Sequence, residues 1–189
     1  FHLWPNKDVA PPPFREAAAV MTYGDDVKGS VKRGFDWFNH ISFAKFLKER
    51  DMVFTMPDKD SEPVPYMNDD DADFLKRKNV FNPDTQMYHG ALHEDSIFKS
   101  LHTVLESKVV SLEEQAICNI DGALREWWQH GRELYELRRG QMKEVAERCN
   151  ISQFCNMLNE SYEDRLLNFN KTYLTKEENV EDTFVTTVH

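Results

Sequence analysis

The sequence predicts an α+β protein, and three observations carry that reading. Two short, mostly uncharged runs, "AAAVMT" and "VKGSV", flank Tyr23-Gly24-Asp25-Asp26. A second pair of strand-like runs surrounds Asn82-Pro83-Asp84. Beyond them the apolar residues fall at helical spacing, and Ser111 with Glu114 forms a capping box that opens the clearest helix.

Taken in order, residues 1–15 form a Pro-rich loop. Residues 17–22 and 27–31 are two strands of a β-hairpin whose turn is Gly24-Asp25-Asp26. Gly34-Phe35-Asp36 starts a helix that runs to about Arg50, with Trp37, Ile41, Ala44 and Leu47 along one apolar face. Residues 52–55 make a short strand ending at Pro57, and 57–73 an acidic, Pro-containing loop. Residues 74–81 and 86–88 are a second hairpin, turned by Asn82-Pro83-Asp84. A helix covers about 94–105. The capped helix after Ser111 buries Ala116, Ile117, Ile120, Leu124 and Trp127. Further helix runs from Gly131 to about Cys149, with a break expected near Gly140. Residues 150–189 become more polar, and the last twenty or so are expected to be a tail or linker.

The chain has 189 residues, 40% of them hydrophobic and 12% aromatic, which is a globular composition and excludes a disordered one. No run approaches the roughly 18 apolar residues of a membrane span, so no membrane anchor is expected in this chain. Cys118, Cys149 and Cys155 show no paired spacing and read as reduced thiols of an intracellular protein. The opening "FHLWPNKDVAPPPF" has neither an initiating Met nor a signal-peptide layout, so a piece of a longer protein is expected. The net charge of −10 does not exclude a nucleic-acid partner, because it is concentrated. Residues 57–73 carry seven acidic side chains against Lys59 alone, and 156–189 carry seven against three basic ones.

The adjacent carboxylates of Asp25 and Asp26 raise the question of chemistry. Magnesium takes oxygen ligands, commonly one or two carboxylates plus substrate phosphates. Neighbouring residues on an extended strand point to opposite faces, whereas at a tight turn both can reach one cation. A Gly-Asp-Asp triplet alone is also what an ordinary polar turn looks like.

The order of the motifs along the chain is more specific. "YGDD" between strands, then a helix, then "FTMPDKD", then "FLKRKNVF" resembles the second half of the palm of picornavirus-like RNA-dependent RNA polymerases. In that family a Tyr-Gly-Asp-Asp hairpin (motif C), a Thr-x-x-Asp-Lys loop (motif D) and a Phe-Leu-Lys-Arg hairpin (motif E) lead to a helical thumb. Here they match Tyr23-Gly24-Asp25-Asp26, Thr55 to Lys59, and Phe74-Leu75-Lys76-Arg77, within a resemblance running over about 17–139.

The resemblance implies a partial palm over residues 1–90, a helical thumb over 91–150, and the end of the thumb with a polar tail over 151–189, all from a right-hand polymerase. It implies RNA-directed RNA synthesis for a positive-strand RNA virus. Asp25 and Asp26 would be metal ligands for Mg²⁺, with Mn²⁺ as a substitute, and Lys59 the acid that protonates departing pyrophosphate. Lys76 and Arg77 would hold the nascent strand, with Phe74 and Leu75 anchoring their ribbon. Implied partners are template and nascent RNA, ribonucleoside triphosphates, and the fingers and N-terminal palm of the same polyprotein. The implied location is the host cytoplasm, in membrane-associated replication complexes. Because the fingers and the other palm motifs would precede Phe1, this chain alone is expected to be inactive.

Two other readings stand beside this one. A non-catalytic helical interaction domain would use Tyr23-Gly24-Asp25-Asp26 only as a turn, and another metal-dependent phosphotransferase or nuclease would need further carboxylates near Asp25. Minor features have plain readings. The run from Asp69 to Asp73 reads as a solvated loop. His89 and His93 have zinc-like spacing on a helix but no evident third ligand. Trp127 reads as core more than as a base-stacking platform. Arg132, Arg138, Arg139 and Lys143 suit either a basic face over RNA or a solvated one.

Overall fold

A computed structural model describes residues 3–177, with side chains described through Tyr173. The architecture is mixed helix and small antiparallel sheet, as an α+β reading requires. The chain divides between Lys78 and Asn79 into two compact units.

The first unit begins with an irregular Pro-rich segment and a one-turn helix, α1 (Phe14–Ala17). It continues into β1 (Ala18–Tyr23), which pairs antiparallel with β2 (Asp26–Val31). Tyr23 faces Asp26 across the ladder, so the connection is only Gly24-Asp25. Gly24 takes φ 59° there, as suits the first central position of a type II′ turn, which matches strand twist. The turn expected at Gly24-Asp25-Asp26 is thus one residue shorter, and Asp26 belongs to the strand.

Helix α2 spans His40–Lys48 and starts later than the sequence suggests. The cap is not in Gly34-Phe35-Asp36 but at Asn39, whose side chain accepts the Ser42 N–H while Ser42 Oγ accepts the Asn39 N–H. That reciprocal pair satisfies two otherwise orphaned donors. Trp37 therefore precedes the helix, where its ring packs edge-on against Trp4 and Phe35. Residues 52–55 are irregular, not a strand; the short apolar run finds no ladder partner among the described residues. Phe54 packs instead against Phe43 and His40. The loop after Pro57 is irregular, as its charge and prolines predict.

The second unit contains most of the hairpin of β3 (Arg77–Asn82) and β4 (Met87–Leu92), whose first two residues close the first unit. Most of this hairpin thus groups with the helices that follow it. Asn82, 1% exposed, donates to the Tyr162 hydroxyl at 2.8 Å. His89 is buried, with Thr85 Oγ1 at 2.7 Å from Nε2 and Gln129 Oε1 at Nδ1. Its ring nitrogens are occupied by structural hydrogen bonds, and His93 sits at a helix start. No group of three or more His, Cys, Asp or Glu that could hold a metal occurs among the described residues.

Helix α3 (Glu94–Leu101) is shorter than expected. Helix α4 (Leu112–Trp128) has the capping box read from the sequence, with Ser111 and Glu114 exchanging bonds of 3.1 and 2.8 Å. Helix α5 (Arg132–Arg148) passes through Gly140 without a break. A helical glycine costs only about 1 kcal/mol relative to alanine, which the packing of a long helix absorbs. Two 3₁₀ turns, Ser152–Phe154 and Asn156–Asn159, lead to α6 (Tyr162–Glu177). The expected polar tail is therefore helical up to Glu177, and its remainder lies outside the described residues.

The core of this unit gathers Leu124, Trp127, Trp128, Tyr135, Cys155 and Tyr162, each 2% exposed or less. Trp127 Nε1 donates to Glu94 Oε1 at 3.0 Å, and Arg138 Nε reaches the same oxygen at 3.0 Å. Buried Asp121 accepts the backbone N–H groups of Asn156 and Met157 at 3.2 and 3.0 Å, fixing the 3₁₀ segment to α4. Burial, with the negative charge of Asp121, pushes the Cys155 thiol up. No helix among the described residues is long and apolar enough to cross a membrane.

Candidate active site

The site is built within the first unit, from a strand end, a turn and two loops. Pairing with Tyr23 fixes Asp26 at the start of β2, and Asp25 precedes it at the tip, both exposed to solvent. Side chains two apart on a strand share a face, so Asp26 and Lys28 point the same way. Both meet the same downstream loop. Asp26 Oδ2 accepts the Leu75 N–H at 3.0 Å, and Lys28 Nζ pairs with Asp69 at 2.8 Å. Lys28 is 12% exposed against 65% for Asp69, so the lysine is largely covered while its partner is wet.

Leu75 belongs to a tight turn. Phe74 and Arg77 exchange both backbone hydrogen bonds, Phe74 N–H to Arg77 O at 3.1 Å and Arg77 N–H to Phe74 O at 3.0 Å. The two central residues, Leu75 and Lys76, have φ of 56° and 59°. Two successive positive φ values are those of a type I′ turn, normally made by Asn, Asp or Gly. Lys59 is also left-handed, φ 68°, where its N–H bonds back to Met56 O at 2.9 Å. Asp58 beside it accepts from the Ser61 hydroxyl at 2.8 Å and from the Ser61 and Asp60 N–H groups. The Ser61 hydroxyl, then its N–H, holds the Asp58 carboxyl below its ordinary value. Motif D is thus a self-bonded loop with Lys59 at its bend.

Asp25, Asp26, Lys59 and Lys76 all line one cavity of about 760 Å³. Lys28 and Asp73 line it too, and its apolar wall includes Phe43, Phe54 and Met56. Arg77 is not among the lining residues; it begins β3. Sequence reasoning missed Lys28 and set Asp73 aside as part of a solvated loop. Lys28 was findable from its place two residues after Asp26 on the same strand face. Chemically, the lining offers carboxylate oxygens and ammonium groups, the donor classes that a divalent cation and a polyphosphate require. Two adjacent carboxylates fit magnesium, which completes its shell with water and substrate oxygens.

The arginines of α5 have protein partners. Arg138 pairs with Glu94 at 2.9 Å, Arg139 with Glu136 at 2.7 Å, and Arg132 with Asp84 and Glu163. Their planar forks are used inside the second unit. Lys143 is exposed.

Residues 6–149 match the family model for viral RNA-dependent RNA polymerase. The chain belongs to the viral RNA-dependent RNA polymerases. It is 32% identical over 124 residues to the replicase polyprotein of Drosophila C virus, a match covering 65% of this chain and 7% of that polyprotein. It is 28% identical over 134 residues to the replicase polyprotein of Cricket paralysis virus, covering 70% and 8%. The RNA1 polyprotein of Broad bean wilt virus 1 is 32% identical over 117 residues, covering 61% and 6%. The chain therefore spans less than a tenth of the length of these curated relatives. The picornavirus-like resemblance read from the three motifs holds.

Proposed function

We propose that this chain is the C-terminal palm and thumb portion of an RNA-directed RNA polymerase that replicates the RNA of a positive-strand virus. The observation that carries the reading is the convergence of Asp25, Asp26, Lys59 and Lys76 on one cavity, within a segment of polymerase sequence. In the reaction, the 3′-hydroxyl oxygen of the nascent strand attacks the α-phosphorus of a ribonucleoside triphosphate. The new P–O bond forms as the bond to pyrophosphate breaks. A pair of bound metal ions, Mg²⁺ with Mn²⁺ as a substitute, would supply Lewis-acid activation and charge neutralisation there. Asp25 and Asp26 would hold that metal charge at the strand tip. Lys59, on its left-handed bend, would hand a proton to the leaving pyrophosphate oxygen. Lys76 at the cavity and Arg77 at the start of β3 would grip the nascent strand through its phosphates, which positions it without reading sequence. Positioning and electrostatics supply most of such catalysis.

The partial palm would run over residues 1–90, the helical thumb over 91–150, and the end of the thumb with its tail over 151–189. The remaining polymerase parts would come from the same polyprotein, and the whole would act in membrane-associated complexes of the host cytoplasm. Alone, this chain would not polymerise.

The test is Mg²⁺-dependent primer extension on an RNA template. It compares this chain, the polymerase containing it, and that polymerase with Asp25→Asn. Extension by the intact polymerase only, with Asp25→Asn reduced at least about a hundredfold, supports the reading. Full-rate extension by the Asp25→Asn form overturns it.

A further inference from the structure

The two carboxylates of the site are not equivalent. Asp25 stands at the tip of the turn, whereas Asp26 is fixed in the ladder of β2 and has Oδ2 on the Leu75 N–H at 3.0 Å, 49 positions away. That N–H belongs to the first of two successive left-handed residues, Leu75 and Lys76. Neither side chain favours that conformation, because Cβ crowds the carbonyl oxygen and no short polar group bonds locally to compensate. An isolated Phe-Leu-Lys-Arg segment would relax out of such a turn. The structure shows the external hold: a charge-assisted bond from a strand residue, aided by the Lys28–Asp69 pair on the same strand face.

We propose that Asp26 is a positioning residue, whose carboxylate clamps the 74–77 turn in its left-handed form and so keeps Lys76 on the cavity that Asp25 also lines. The proposal rests on the polymerase reading for what Lys76 contacts, but the clamp is a property of the turn. It separates the work of the pair. Asp25 has the metal alone to serve, whereas Asp26 shares that charge and, through Oδ2, also ties the metal side of the cavity to the strand-gripping side.

The two carboxylates are separated in the polymerase containing this segment by comparing Asp26→Asn, Asp26→Leu and the double variant Asp26→Leu with Leu75→Asn. Asparagine at 26 keeps an acceptor oxygen but loses the charge; leucine keeps the shape and loses the acceptor. Asparagine at 75 accepts positive φ readily. Three readouts are taken: dissociation of a labelled primer–template RNA, deuterium exchange over residues 74–77, and the Mg²⁺ concentration for half-maximal extension. The clamp predicts that Asp26→Leu speeds dissociation about fivefold or more and raises exchange over the turn. Asp26→Asn then stays near the parent in both, and Leu75→Asn returns the Asp26→Leu form most of the way. Equal dissociation for Asp26→Asn and Asp26→Leu overturns the clamp. So does a change confined to the Mg²⁺ requirement, or no return from Leu75→Asn. An Asp25→Asn form that extends at full rate would sink the polymerase reading and leave the exchange result standing as the test of the clamp.

Discussion

The two units spend their sequence differently. In the helical unit, a cluster from Ile97 to Tyr162 is buried around two tryptophans, and its charged side chains, Glu94, Asp121, Glu136 and Arg138, are bonded into that core. Among the described residues of the first unit the buried apolar ones are Ala17, Ala18 and Met56, small or flexible, and α2 buries none of its residues fully. The proposed catalytic groups stand on the thinly packed unit, held by turns and backbone bonds. Within this chain the site is arranged by local geometry and loop ties, and buried apolar packing is concentrated in the helical unit.

Cutting the helical core is the strongest way to probe that contrast. Trp127 is fully buried, packs edge-on against Phe98 and donates to Glu94. Trp127→Ala should cost about 3–5 kcal/mol, read by urea unfolding of this chain. Exchange protection of α2 should stay unchanged; equal loss there would show one cooperative body and break the comparison. Next in size is Asp121→Ala, which strands the N–H groups of Asn156 and Met157. The expected loss is about 2 kcal/mol, with Asp121→Asn recovering part of it. An Asp121→Ala protein as stable as the parent would mean the 3₁₀ segment is held by packing alone.

The capping boxes of α4 and α2 give a matched pair of smaller tests. Ser111→Ala and Asn39→Ala each remove a helix cap worth about 1 kcal/mol. The first should lower the global transition of the helical unit, and the second should show only as faster exchange within α2. A global shift from Asn39→Ala would mean that α2 carries more of the fold than its burial suggests.

A further effect, confined to alkaline solution, is a pH dependence. Burial pushes the Tyr135 hydroxyl up to about 12, whereas an unfolded tyrosine ionises near pH 10, roughly. A raised folded value means the stability is whole below the unfolded pKa and is lost as pH rises through the folded one. The helical unit should weaken between about pH 10 and 12. Tyr135→Phe should flatten that limb while losing about 1 kcal/mol at neutral pH, from the bond to Glu160 O. An unchanged alkaline limb in Tyr135→Phe would remove Tyr135 as its source.

How far each feature was legible in the sequence depends on the range of the interactions involved. The Ser111–Glu114 box acts over three residues and was legible. Asn39–Ser42 is the same device with serine in the third position, and the turn-like Gly34-Phe35-Asp36 masked it. Residues 52–55 had strand-like composition, but strand formation requires a partner that composition cannot reveal. The three polymerase motifs were readable because each is short and their order is specific. The tie from Asp26 to Leu75 was not readable, since it spans most of the first unit. Leu75 and Lys76 are residues that no turn rule would place at positive φ.

The three thiols make the helical unit its own reporter. Cys118 and Cys149 are exposed, while Cys155 is fully covered, and burial and Asp121 disfavour its thiolate, the only reactive form. A thiol-directed reagent would therefore mark two sites at once and the third only when the unit opens. The lag between them is a clock for that opening, readable by mass without any engineered label.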